Sequence, residues 1–228
     1  GKGASVLDMT GMAQKGGAVS SHIRIAAAPD RIHSARLGEG MTDLLLGCDM
    51  IVASGAGVLS SLRPGHTAAV LNTDVAPTGD FQRNRHLDLN EQRLRSAVID
   101  ALDQGYPDQQ QLFELPASRL ATDLTGDSIA TNVLILGYAA QRGLLPVSIT
   151  AIEEAIRLNG TFVDGNLRLF ALGRVAAHDP QSLMHELGEK TAPVALNTVD
   201  EVLASRMQLL RNYQSETYAQ RYLSFIDH

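Results

Sequence analysis

The chain has 228 residues, 44% of them hydrophobic and 19% charged, enough apolar material for one large core or for a domain with an appendage. A net charge of −6, no tryptophan and 4% aromatics argue against nucleic acid as a partner, which needs a basic stripe and stacking rings. One cysteine, Cys48, excludes an internal disulfide, an iron–sulfur cluster and a four-ligand zinc site. No apolar run is long enough to span a bilayer, so a cytoplasmic chain with no membrane partner is expected.

Ala4–Leu7 and Ser21–Ala26 read as short strands, with a glycine-bearing stretch between them. Asp43–Leu46 reads as a short buried strand. Asp49–Leu62 is ambiguous: "MIVAS" suits a strand and "ASGAGVLSSL" a short helix ending at the Pro64-Gly65 turn. Ala68–Asn72, "AAVLN", is the clearest buried strand. Asn90–Gln104 is helical, with Leu94, Val98, Ile99 and Leu102 on one face and Gly105 and Pro107 as stops. Gln111–Leu115 reads as a strand and Ala117–Asp123 as a helical turn. Ser128–Arg142, Ser148–Asn159 (Ser148 as N-cap) and Asn166–His178 read as helices. Leu183–Leu187 reads as a short helix. Asp200–Ile226 reads as one long amphipathic helix, with Leu203, Met207, Leu210, Tyr218, Tyr222 and Phe225 near one face. Strands alternating with helices imply an α/β fold with an at least partly parallel sheet.

Three patterns bear on chemistry. "GAGVLS" at Gly55–Ser60 imitates a dinucleotide fingerprint, with Asp74 where a ribose-binding carboxylate would stand, but the third glycine is missing. "HELGE" at His185–Glu189 and "GEKT" at Gly188–Thr191 match neither a zinc-protease nor a phosphate-loop motif, and the seven histidines lie far apart. Cys48 reads as a small buried hydrophobe. The stretch "TGMAQKGGAVSSHIR" at Thr10–Arg24 has two readings. Gly16 and Gly17 allow a nest of free N–H groups, and Lys15, Arg24, Ser20 and Ser21 add charge and donors for a phosphate or carboxylate. Equally, the glycines allow a turn that packs two segments closely.

"GASVLDMTGMAQKGGAVSSHIRIA", "TDLLLGCD" and "RPGHTAAVLNT" together resemble the gamma domain of 2-oxoacid:ferredoxin oxidoreductases, in the long fused indolepyruvate branch. "GDSIATNVLILGYAAQRGLLP" with Asn132 and Gly137, "AIEEAIRLNG", and "VDGNLRLFALGR" with Asn166, Phe170 and Gly173 extend the resemblance over residues 1–178. It implies a three-layer α/β domain with a mostly parallel sheet, truncated at its N-terminus because the family's first Gly-rich strand–loop–helix precedes Gly1. It also implies a helical segment, 179–228, that begins a C-terminal extension. The chain is thus expected to be a piece of a longer enzyme.

The resemblance further implies that the whole enzyme decarboxylates an aryl 2-oxoacid on thiamine diphosphate and magnesium. Electrons pass through iron–sulfur clusters to ferredoxin, and an acyl-CoA is released. No redox cofactor is expected in this segment and no residue in it is expected to be catalytic. The thiamine-binding domains are its implied partners, in a homo-oligomer. Lys15, Gly16, Gly17, Ser20, Ser21 and Arg24 become the candidate contact surface toward the thiamine site or coenzyme A, with Asn132 and Asn166 second. Two rivals remain: a non-catalytic CoA- or nucleotide-binding scaffold, and an NAD-dependent enzyme that uses Gly55–Ser60.

Overall fold

The computed structural model describes residues 2–10, 18–75, 90–102, 111–126, 128–179, 183, 198–213 and 215–226. They divide between two units, 1–187 and 188–228. Leu183 is buried in the core of the first unit; the rest of the expected helix Leu183–Leu187 lies outside the described residues.

The first unit opens with β1 (Gly3–Thr10) and β2 (Val19–Ala26), which pair antiparallel from Gly3↔Ala26 to Thr10↔Val19 as a separate two-stranded sheet. Both strands are longer than the sequence suggests, and exposure alternates along each. Leu7, Met9, His22 and Arg24 sit on a half-buried inner face, whereas Ala4, Val6, Ile23 and Ile25 lie on an exposed outer face. This is the period-2 geometry of a pleated strand. Gly3 is where the hairpin meets the body: a Cβ there would come within 2.6 Å of the Pro29 Cα.

A second sheet follows, of order β3 (Leu44–Gly47), β4 (Ala68–Asn72) and β5 (Leu112–Leu115), and both pairings are parallel. The central strand reads as a nearly unbroken apolar run because it is covered on both sides. Val70 packs with Leu120, Leu134, Ile135, Tyr138 and Ala177 on one side. Ala69 and Leu71 pack with Met50, Ala53, Leu62, Val98 and Leu102 on the other. The helices behind these contacts are α1 (Met50–Ala53), α2 (Ala56–Leu59) and α3 (Glu91–Leu102) on one face. On the other are α4 (Ala117–Thr125), α5 (Thr131–Gln141) and α7 (Val163–His178), with α6 (Ile149–Asn159) before α7. The expected three-layer α/β arrangement is therefore present.

The ambiguous stretch 49–62 resolves as two short helices. Asp49 starts the first, its Oδ1 accepting from the N–H groups of Ile51 at 2.8 Å and Val52 at 3.2 Å. Ser148 caps α6 as expected, accepting from the Ala151 N–H, and Gly160 ends that helix at φ 71°. The helix expected from Ser128 begins as a 3-10 turn over Ser128–Ala130 before α5. α5 and α7 cross with their backbones in contact. A Cβ on Gly137 would overlap the Phe170 carbonyl, and one on Gly173 the Leu134 carbonyl.

In the second unit, the single helix expected over Asp200–Ile226 is instead two, α8 (Val199–Tyr213) and α9 (Glu216–Ile226). Ser215 opens the second, its carbonyl accepting from the Ala219 N–H. Ser is a residue that favours a helix start over a helix interior. Arg211 and Glu216 pair across the break through Nε and Nη2. Phe225, expected on the apolar face with Met207, is exposed while Met207 is buried.

Candidate functional site

Polar side chains gather, among other places in the first unit, at the carboxyl edge of the parallel sheet and on the β1–β2 hairpin. In open α/β sheets ligands bind outside the carboxyl ends of the strands. Here that edge is organised by Asn72, the last residue of β4 and 1% exposed. Its Nδ2 donates to the Cys48 carbonyl beyond β3 at 3.1 Å, to the Asp74 carbonyl at 3.3 Å and to Ser118 Oγ at 2.8 Å. Its Oδ1 accepts from the N–H groups of Ala117, Ser118 and Asp74 at 2.9, 3.2 and 3.2 Å. One amide thus ties the ends of β3, β4 and β5 together. Asp74 completes the arrangement, with Oδ2 accepting from the Arg119 N–H at 2.7 Å. Ser118 Oγ lies 3.2 Å from Thr131 Oγ1, which donates to the Ser128 carbonyl.

The chemical consequence is specific. The N–H groups of Ala117, Ser118 and Arg119 at the start of α4 are the donors that would cradle an anion at such an edge. All three are taken by Asn72 and Asp74, so the edge is closed by its own side chains. Asp74 therefore serves the backbone of α4. Gly55–Ser60 is α2 with its two cap residues and follows the helix α1 where the motif needs a strand, so the dinucleotide reading lacks its geometry. Cys48 also sits at this edge. Burial pushes its thiol above the usual value, and the Asp49 carboxylate pushes it further the same way, which disfavours the thiolate. Among the described residues no three His, Cys, Asp or Glu side chains group to hold a metal ion.

The hairpin carries the sequence-predicted contact residues. Lys15, Gly16 and Gly17 lie outside the described residues. Ser20, Ser21 and Arg24 are all on β2 but do not share a face. Ser21 points outward and donates to Asp8 Oδ1 across the strands at 2.6 Å. Ser20 and Arg24 are on the inner face. The Arg24 guanidinium reaches the segment between β2 and β3, where Nη2 donates to the Arg36 carbonyl at 2.9 Å and to Met41 Sδ at 3.8 Å. His22 Nδ1 accepts from the Leu37 N–H at 2.9 Å. These bonds hold the hairpin against the body. Asn132 and Asn166 are used locally. Asn132 Oδ1 accepts from the Val133 N–H, and Asn166 Nδ2 donates to the Thr161 carbonyl, closing the loop before α7.

Sequence reasoning missed Asn72. The signal was present in "AAVLNT": a polar side chain that ends a doubly covered parallel strand must sit at the carboxyl edge, where several backbone segments converge.

Comparison with known proteins adds the following. The family model described as pyruvate ferredoxin/flavodoxin oxidoreductase matches residues 1–176. The indolepyruvate oxidoreductase subunit IorB of Archaeoglobus fulgidus is 27% identical over 167 residues, covering 72% of this chain and 75% of the relative. The protein of the same name from Methanothermobacter thermautotrophicus is 27% identical over 172 residues, covering 75% and 80%. Among solved structures, the gamma subunit of a keto/oxoacid ferredoxin oxidoreductase from Geobacter sulfurreducens PCA is similar at a TM-score of 0.47 and 18% identity, over 78% of this chain and 81% of that one.

Proposed function

Because the chain belongs to the pyruvate ferredoxin/flavodoxin oxidoreductase family, we propose that it is the accessory gamma-type part of an enzyme that oxidatively decarboxylates an aryl 2-oxoacid to its acyl-CoA and passes the electrons to ferredoxin. The observation that carries this reading is the family match over residues 1–176, together with relatives named as indolepyruvate oxidoreductase subunits.

The residues present do not fit the redox cofactors of such an enzyme. A four-thiolate cluster cannot be built from one cysteine, and that cysteine has its thiol disfavoured from ionising. Thiamine diphosphate, magnesium and the clusters then belong to the thiamine-binding domains that partner this one in the whole enzyme. The role left to this chain is to present a surface: its parallel-sheet edge is closed, and its hairpin, held against the body on one face, is exposed on the other. The segment around Lys15, Gly16, Gly17, Ser20, Ser21 and Arg24 is its candidate contact toward those domains or coenzyme A.

The test is turnover. The chain assembled with its thiamine-binding partner, and supplied with thiamine diphosphate, Mg²⁺ and CoA, is expected to reduce ferredoxin with an arylpyruvate faster than with pyruvate. Faster turnover with pyruvate would overturn the substrate assignment, and turnover by the isolated chain would overturn the accessory role. Saturable CoA binding by the chain, in an assembly with no 2-oxoacid turnover, would favour the scaffold reading.

A further inference from the structure

One peptide unit between β2 and β3, the one joining Arg36 to Leu37, is gripped from both ends by side chains of the hairpin. Its carbonyl accepts from Arg24 Nη2 at 2.9 Å, and its N–H donates to His22 Nδ1 at 2.9 Å. His22 and Arg24 are two positions apart on β2, so both lie on its half-buried inner face. The carbonyl and N–H of a trans peptide point opposite ways, and one side chain takes each. The same carbonyl also accepts from Ser34 Oγ at 3.1 Å. The segment so held, residues 32–41, has no helix or strand of its own. Beyond the grip, backbone bonds tie it to the body, from the Gly40 N–H to the Ser60 carbonyl and from the Thr42 N–H to the Ser61 carbonyl. Gly40 supplies a bend there at φ 61°.

The grip depends on the protonation of one ring. An imidazole nitrogen that accepts a hydrogen bond carries no proton, so the neutral His22 ring holds its proton on Nε2. A second proton, on Nδ1, turns the acceptor into a donor facing the Leu37 N–H, and the bond is lost. It also sets a cation beside Arg24. No carboxylate offsets this: among the described residues no ion pair includes His22 or Arg24. Leu7 stands opposite His22 on β1, and the titratable side chains of the covering segment, Asp30, Arg31, His33, Arg36 and Glu39, are exposed. The closed arrangement has little in reserve. Arg24 Nε is buried without a hydrogen-bond partner among the described residues, and a buried donor left unmet is costly. Besides the Arg36 carbonyl, Nη2 reaches only the weak acceptor Met41 Sδ at 3.8 Å.

We propose that residues 32–41 are a proton-released strap: neutral His22 and Arg24 clamp the 36–37 peptide and hold the strap against the inner face of the hairpin, and a proton on His22 opens it and frees the Arg24 guanidinium. Imidazoles change charge between about pH 5 and 8. The strap is closed at the upper end of that range, where the ring is neutral, and opens as pH falls. What opening does for Arg24 as a contact residue rests on the functional reading above; the latch itself does not.

The experiment is amide hydrogen exchange on the full chain alone, so its result is independent of the enzyme assignment. Exchange is read residue by residue by NMR at about pH 7.5 and about pH 5.5 and corrected for the intrinsic rate. Protection of the Leu37 amide is expected to fall about tenfold at the lower pH. The fall is expected to follow the titration of the His22 ring, seen in its side-chain nitrogen signals, while Val70 and Leu71 in β4 keep their protection. At the higher pH those signals are expected to place the ring proton on Nε2. His22→Phe offers no acceptor and is expected to leave Leu37 unprotected at both pH values. Unchanged Leu37 protection in the unaltered chain overturns the proposal. So does a fall that departs from the His22 titration, a fall shared by β4, or a neutral ring with its proton on Nδ1. These readings need no variant, so they decide the matter even where His22→Phe fails to fold. A folded His22→Phe chain with Leu37 still protected overturns it as well.

Discussion

Asn72 is the residue on which most of the sheet edge depends. Replacing it with alanine leaves the N–H groups of Ala117, Ser118 and Asp74 and the Cys48 carbonyl without their side-chain partner in a nearly dry site. Unmet buried backbone groups are costly, and Asn72→Ala is expected to lower unfolding stability by about 2–4 kcal/mol in urea titration. A midpoint equal to that of the unaltered chain would show that water replaces the amide at no cost. Cys48, at the same edge, supplies a pH test. Its thiol is raised above the ordinary value near 9.0, mainly by burial. The folded state therefore holds the proton to higher pH than the unfolded state. Stability from this group is complete below about pH 8.5 and is lost as pH rises through the folded value. Alkylation of the native chain at pH 8.5 should accordingly be slower than that of the urea-unfolded chain, and the fall in stability above pH 9 should be shallower in Cys48→Ala. Equal alkylation rates would contradict the burial. The sequence reads Cys48 as a small buried residue, and in the structure it is half-buried against the core. The role of Asn72 was not legible, because Ser118 is 46 positions away and local pattern does not report that distance.

At the scale of elements, the crossing of α5 and α7 has the least tolerance. Gly137 and Gly173 each face a carbonyl of the opposite helix, so any Cβ must push the two backbones apart. Gly137→Ala and Gly173→Ala should each cost about 1–3 kcal/mol despite the better helix propensity of alanine. Denaturant midpoints measure this, and a neutral or stabilising result would show that the helices separate freely. Both glycines were visible in the sequence inside helical runs, but the helix each one packs against was not. Elements with a strong local signature were readable: the apolar run of β4, the Ser148 cap of α6, the amphipathic face of α3. Those set by tertiary contact were less so. Nothing in the periodicity of 200–226 marks the break at Ser215, because both helices continue the same amphipathic pattern. The first hairpin strand reads short because Asp8 interrupts its apolar run, and the second because Ser20 and Ser21 follow the lone Val19, although in the structure Ser21 donates to Asp8 across the pair.

For the whole molecule, alternation of strands and helices was enough to imply three layers around a parallel sheet. What it could not supply was that the sheet's carboxyl edge is filled by its own side chains. That difference removes the crevice that the dinucleotide rival needs and leaves the contact surface, the reading under which the isolated chain is expected to show no turnover in the experiment above. The hairpin has a further bearing on how the chain comes to be folded at all. Its two strands are joined through residues 11–18, whereas the parallel ladder must bring residue 44 beside 68 and residue 69 beside 112. Short-range pairing closes in microseconds and long-range pairing far more slowly, so the hairpin forms ahead of the ladder. For that interval it is a ribbon with two free edges and apolar side chains on both faces, the form most prone to pair with another nascent chain. Asp8, set among Val6, Leu7 and Met9, interrupts that run with a charge, and in this light it acts as a gatekeeper against aggregation during synthesis.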